Sequence, residues 1–147
     1  MSHHSFIVTN SGPLLETHIG ISLPKLQVMS AANQTPPVPV LARMLVDTGA
    51  SHTSIDQKFV AALGLTPTGS VAVLTPSTGA TPHMMPSYDV AFYFVNGHNG
   101  GTHTISIQTV TACDLSAQGI DGLIGRDILA NTTLTCVGPL GMYHLSF

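Results

Sequence analysis

The stretch VLARMLVDTGASHTSID, Val40 to Asp56, runs an apolar segment into Asp47, then a small hydroxylic residue, a glycine and further small residues. Ionic side chains are scarce, with four Lys or Arg and seven Asp or Glu among 147 residues. A carboxylate at the end of a core-like strand is therefore either a structural cap or a reacting group, and the chemistry open to it is proton transfer. Thr48 supplies a hydroxyl that can fix the turn by hydrogen bonding. Gly49 permits a backbone conformation, or an approach by another chain, that a Cβ would block. The tripeptide alone fits both readings. Downstream, GLIGRDIL (122–129) repeats the grammar of an apolar pair followed by glycine and a short helix.

Other chemistry finds little support. The eight histidines include no HExxH and no short paired spacing on an expected helix, so no metal site and no cofactor are expected. His98 and His103 bracket a glycine turn and read as loop residues; His52, beside the Asp47 segment, is either structural or a modulator of pH dependence or substrate contact. No phosphate-binding loop, Ser-His-Asp order or GxSxG elbow is present. Asn33 and Asn131 open N-x-T sequons that carry no weight without a secretion signal.

The elements that must position Asp47 are mostly strands. Glycine and proline are frequent, β-branched residues are spread along the chain, and helical patterns are few. Residues 13–22 read as a strand, 30–39 as a loop, and 40–46 as a strand buried on both faces and interrupted by Arg43. Asp56 is the expected N-cap of a short helix carrying Phe59, Val60 and Leu63, with Gly64 as its stop. Strands follow at 71–74 and 88–95, then a hairpin turn at 96–101, a strand beginning at Thr102, and a second short helix starting near Arg126 or Asp127. Residues 132–147 form two strands around a GPLG turn. No repeat or linker breaks the chain, so one domain over residues 1–147 is expected, with 1–12 as a loose N-terminal arm.

Composition excludes several partners. A net charge of −3 leaves no basic footprint for nucleic acid or an anionic membrane. No apolar run reaches the roughly 18 to 20 residues that span a bilayer. The N-terminal residues lack the pattern of a signal peptide, which points to the cytoplasm. Cys113 and Cys136 make no disulfide framework and read as buried free thiols. The low charge and high apolar fraction allow some apolar surface to be buried between subunits.

Taken together, LVDTGASHTSID, the helix segment DQKFVAALGL, the YDV strand after a turn-rich loop, LIGRDIL and the closing LTCVGPLGMYHLSF hairpin resemble the retropepsin-like aspartic proteases. This family includes the retroviral proteases and their bacterial and eukaryotic single-domain relatives. The likeness covers about residues 13–147 in the family's order. It implies an all-β, closed barrel-like lobe with one or two short helices, and an active site at a two-fold dimer interface. By resemblance, Asp47 is the catalytic carboxylate, Thr48 bonds across the dyad, and Gly49 and Ala50 complete the loop. Arg126 anchors that loop from beneath, and Ser77, Thr78, Gly79 and Ala80 lie at the tip of a flap over the substrate. Ser51 stands where viral members often carry an aspartate for this arginine, so Arg126 needs a different acceptor.

Aspartic proteolysis needs two carboxylates facing one water. Like charges about 4 Å apart repel by roughly 4 kcal/mol at an effective dielectric near 20, about three pKa units, so the pair shares one proton. One carboxylate then takes a proton from water while the other serves the tetrahedral intermediate and the leaving amine. Asp56, Asp89, Asp114, Asp121 and Asp127 are not followed by Thr-Gly or Ser-Gly. One chain thus carries half a site, and a homodimer bringing two copies of Asp47 together supplies the rest. The expectation is an aspartic endopeptidase acting on an extended peptide or protein. The alternative is a non-catalytic dimeric module that binds peptides on the same fold.

Overall fold

The computed structural model describes residues 2–74, 79–95 and 101–147. Among the described residues ten strands and three α-helices follow one another. They are β1 (His3–Thr9), β2 (Gly12–Ile21), α1 (Leu23–Ala31), β3 (Val40–Val46), β4 (Ser54–Asp56) and α2 (Gln57–Ala62). Then come β5 (Gly69–Val73), β6 (His83–Val95), β7 (Thr102–Cys113), β8 (Gly122–Ile124), α3 (Arg126–Leu129), β9 (Thr133–Val137) and β10 (Met142–Ser146). Strands β6, β7, β4, β8, β3 and β2 pair in that order, and β2 closes the ring by pairing with β6 from His18↔Tyr93 to Ile21↔Val90. The barrel expected from the sequence is therefore present. A sheet of β1, β10 and β9 extends it beyond β2, and β5 extends it beyond β6.

The barrel interior holds Ile19, Met44, Ile55, Phe59, Phe92, Phe94, Ile124, Ile128 and Leu145, all almost fully buried. Each such side chain contributes roughly 1.5–3 kcal/mol of transfer free energy. Asp56 caps α2 as its sequence position suggested, accepting from Lys58 N at 2.9 Å. Its second oxygen accepts from Leu115 N at 2.8 Å, so one buried carboxylate also ties the helix to the segment after β7. Gly64 follows the helix in the left-handed region, φ 58°, where glycine is favoured.

Four expectations are corrected. Strand β3 is not buried on both faces: Ala42, Met44 and Val46 point inward while Leu41 is 51% exposed, the alternation of a half-buried strand. The loose arm expected over residues 1–12 is not found in residues 2–12. They hold β1, which pairs with β10 from His3↔Ser146 to Ile7↔Met142 and meets β2 at Val8↔Pro13. Helix α1 occupies residues the sequence left without an element; none of its side chains is fully buried, and Leu26 and Met29 alone rest on the core. Of the two cysteines, Cys113 is half-buried and Cys136 exposed, and neither is in a disulfide. The expected turn at 96–101 lies outside the described residues except for Gly101, but β6 and β7 pair up to Val95↔Thr102 on either side of it. Among the described residues no helix is long and apolar enough to cross a membrane.

The closure of β1 carries a pH dependence. His4 is 6% exposed, lies edge-on to Phe94 and Phe147, and hydrogen-bonds Ser2 through Nε2 at 2.9 Å. Burial lowers its pKa, and His103 and His3 lower it further. An imidazole whose folded pKa lies below its unfolded value binds more protons when the chain unfolds. Its contribution is complete above pH 6.5 and is lost as pH falls below that value. The denaturation midpoint is expected to drop between pH 7 and pH 5, and a His4→Phe chain to show a smaller drop. Equal pH slopes in urea titrations of the two proteins would remove His4 from this account.

Candidate active site

Strand β3 delivers Asp47 to its position. Its last residues pair in parallel with β8, Met44↔Gly122 to Val46↔Ile124, and Asp47 N donates to Ile124 O at 3.0 Å. The chain then turns on its own carboxylate. Oδ1 of Asp47 accepts from Gly49 N at 2.8 Å and from Ala50 N at 3.3 Å. A Cβ on Gly49 would lie 3.1 Å from that oxygen, so the absence of a side chain there lets the backbone close round the carboxylate. Asp47 remains half-exposed, with Thr48 and Gly49 exposed beside it.

A second layer holds the loop from below. Arg126 N donates to Ala50 O at 2.9 Å, and Arg126 Nη2 donates to Ser51 Oγ at 2.8 Å. The acceptor that the arginine lacked on paper is thus the hydroxyl of Ser51 itself. Asp127 accepts from Thr53 N at 2.9 Å, from Thr53 Oγ1 at 2.7 Å and from Gln108 Nε2 at 3.0 Å. Thr53, fully buried, in turn accepts from Gly125 N through Oγ1 at 3.1 Å. A Cβ on Gly125 would meet the carbonyl carbon of His52 at 2.6 Å, so the two backbones touch where only glycine fits.

Asp47 opens on a cleft of about 610 Å³. Its floor is the loop from Asp47 to His52; its walls are Ala72, Val73, Leu74 and Met85 from the β5–β6 hairpin, Thr111 and Cys113 from β7, and Leu123 from β8. Asp47 is the one carboxylate that lines it among the described residues. The other aspartates are engaged elsewhere. Asp56 caps α2, Asp89 accepts from Thr109 Oγ1, and Asp114 accepts from Ser116. Asp121 accepts from Arg43 N and pairs with Lys58. Burial opposes ionisation of Asp121, but its hydrogen bonds from Lys58 and Arg43, with the charges of both, outweigh burial and hold its pKa below the ordinary carboxylate value.

Of the residues named from the sequence, Asp47, Thr48, Gly49 and Ala50 form one loop, and Arg126 is bonded to it. Ser77 and Thr78 lie outside the described residues. Gly79, at φ 59°, and Ala80 are exposed in the connection between β5 and β6 and do not line the cleft. Among the described residues the hairpin meets the cleft through its shaft, at Ala72 to Leu74 and Met85. Thr53, Gln108 and Asp127 were overlooked. The Thr-Ser after the loop (Thr53, Ser54) and the Asp after Gly-Arg look like ordinary strand and helix-start residues in the sequence, and nothing local to either signals their contact. Among the described residues no group of three or more His, Cys, Asp or Glu is arranged to hold a metal ion.

Comparison with known proteins adds two findings. The family described as aspartyl protease matches residues 28–128. No curated protein sequence matches the chain significantly. A solved structure described as a retropepsin-like aspartic protease from Rickettsia conorii superposes with a TM-score of 0.61 over 99% of this chain and 91% of that one. At 14% identity this likeness speaks for the fold.

Proposed function

The chain belongs to the aspartyl protease family, and from that premise we propose that it is an endopeptidase working as a homodimer, with Asp47 from each subunit. The observation that carries this reading is a single carboxylate, cradled by its own loop amides, at the floor of a cleft with largely apolar walls. A binding module has no chemical need for that acid. Two copies of it across a two-fold axis share one proton. The ionised member draws a proton from water as the water attacks the peptide carbonyl, and the protonated member gives its proton toward the carbonyl oxygen. The tetrahedral intermediate then collapses, and the proton first taken from water passes to the leaving amine. The net change is one C–N bond broken by one water.

In this reading an extended peptide lies along the cleft, its apolar side chains against Val73, Leu74, Met85 and Leu123. Oδ1 is held in place by Gly49 N and Ala50 N, which fixes the orientation of the carboxylate.

The test follows from having half a site per chain. Hydrolysis of an unstructured protein at pH 4 to 7 is expected to show specific activity that rises with protein concentration. Adding an excess of Asp47→Asn chain to a fixed amount of wild type should suppress activity, because mixed dimers hold one competent carboxylate. Specific activity that is constant over a hundredfold dilution, and indifferent to the added variant, would remove the shared site. Peptide binding without hydrolysis would leave a scaffold.

A further inference from the structure

The charge around the cleft is lopsided. Among the described lining residues Asp47 is the one acid, and it lies at the start of the loop. At the other end of the same loop are Ser51 and His52, both exposed and both lining the cleft. Behind Ser51 stands Arg126, exposed, its Nη2 donating to the serine hydroxyl at 2.8 Å. The single ion pair among the described residues joins Lys58 to Asp121, so no described carboxylate neutralises this guanidinium. In a chain with four Lys or Arg, one of them is bonded to a residue that lines the cleft holding Asp47.

His52 is also fixed. Its carbonyl carbon lies within 2.6 Å of the place a Cβ would take on Gly125, and the next residue, Thr53, is bonded to Asp127 through both its amide and its hydroxyl. The imidazole therefore extends from a backbone with little freedom, as a specificity group requires. The titratable and charged groups facing it can be named. From its own loop there is Asp47; from β7 there is Cys113, whose pKa is raised chiefly by burial, keeping the thiol neutral. From α3 there are Arg126 and Asp127, and the Asp127 carboxylate is turned to Thr53 and Gln108.

The geometry points to a subsite at the Ser51–His52 end of the cleft that takes an acidic side chain: we propose that His52, with Arg126 behind it, selects peptides carrying Glu or Asp at that position. This rests on the endopeptidase reading and deepens it by naming a substrate class. A carboxylate there would meet an imidazolium directly and a guanidinium at longer range, while the matching amide would meet neither as a charge. An imidazole attracts a carboxylate as a charge only while it carries its second proton, so the selection is strongest on the acid side.

The experiment uses the full chain and peptide pairs that differ only by Glu or Gln, placed in turn at each position around one scissile bond. The readout is the Glu-to-Gln ratio of kcat/KM at pH 5 and pH 8 for wild type, His52→Gln and His52→Lys, so any change in overall rate cancels within each protein. At one position wild type should prefer Glu by about fivefold at pH 5, the size of a partly exposed charge pair, with the ratio falling at pH 8. His52→Lys should keep the ratio at pH 8, and His52→Gln should lose most of it at pH 5. A wild type without a Glu preference at any position, or a His52→Gln chain with the wild-type ratio, overturns the proposal. If no peptide is cleaved, the endopeptidase reading fails; the same pairs then go to a binding measurement by fluorescence anisotropy, where the Glu-to-Gln affinity ratios decide the subsite by the same criteria.

Discussion

Replacing Asp47 with Asn is expected to lower kcat/KM for peptide hydrolysis by about 10³-fold or more while the protein stays folded, the scale on which positioned acid–base groups act. The two halves of that expectation have separate causes. The side-chain oxygen of Asn can still accept from Gly49 N and Ala50 N, so the turn keeps the bonds that now end on Oδ1 of Asp47. In the proposed homodimer the proton-shuttling pair loses both its members at once, because one substitution enters the site twice. An amide neither takes a proton from water at these pH values nor gives one to a carbonyl oxygen. Cleavage within tenfold of wild type, by a variant with unchanged circular dichroism and thermal midpoint, would move the chemistry away from Asp47.

The second large effect is expected at Asp127, a positioning residue. Asp127→Ala removes the acceptor for Thr53 N, Thr53 Oγ1 and Gln108 Nε2 together. Thr53 is fully buried, so its amide is left without a partner where water does not reach it. Hydrogen bonds to a charged group contribute about 1.5–3 kcal/mol each, and orphaning a buried donor costs a similar amount. The loss is expected to be about 2–4 kcal/mol, below the sum because the bonds act as one network. Asp127→Asn, which can still accept from Thr53, should recover much of it. Activity at a temperature where the Ala variant remains folded should fall through kcat more than through KM, since the loop holding Asp47 loosens while the cleft walls remain. Urea midpoints for the two variants, together with their kcat and KM values, check both parts. A variant as stable as wild type would show that the network is not needed.

The fold and the loop could be read from the sequence because their signals are local. Asp-Thr-Gly-Ala and Leu-Ile-Gly-Arg-Asp each compress a strand end, a turn and a helix start into a few residues, and the structure brings the two segments side by side. What could not be read depended on remote partners. The sequence names no acceptor for Arg126, because Ser51 carries no charge, whereas in the structure the Ser51 hydroxyl suffices. Asp127 looked like a first-turn acid, a common helix-start choice, although its main partner is Thr53, far away in the chain. Strand β1 was taken for a loose arm because the strand that orders it, β10, is at the other end of the sequence. Helix α1 was missed because Leu26 and Met29 alone touch the core, too few to give a helical period. Among the described residues of the β5–β6 hairpin, those that line the cleft are Ala72, Val73, Leu74 and Met85 in its shaft, and small and apolar residues at 72–74 carry no functional signature in the sequence.

The parallel pairing of β3 with β8 has a consequence for biogenesis. The residues that fix the Asp47 loop, Arg126 to Ser51 and Asp127 to Thr53, are 75 and 74 positions apart in sequence. Contacts of such wide separation are slow to form, because the intervening segment must be ordered before they return any stabilisation. On a ribosome the acid emerges long before the strand and helix that aim it, so a half-made polypeptide carries the carboxylate without the frame that orients it. The Asp47 loop is completed late, once nearly all of the barrel has been synthesised and closed.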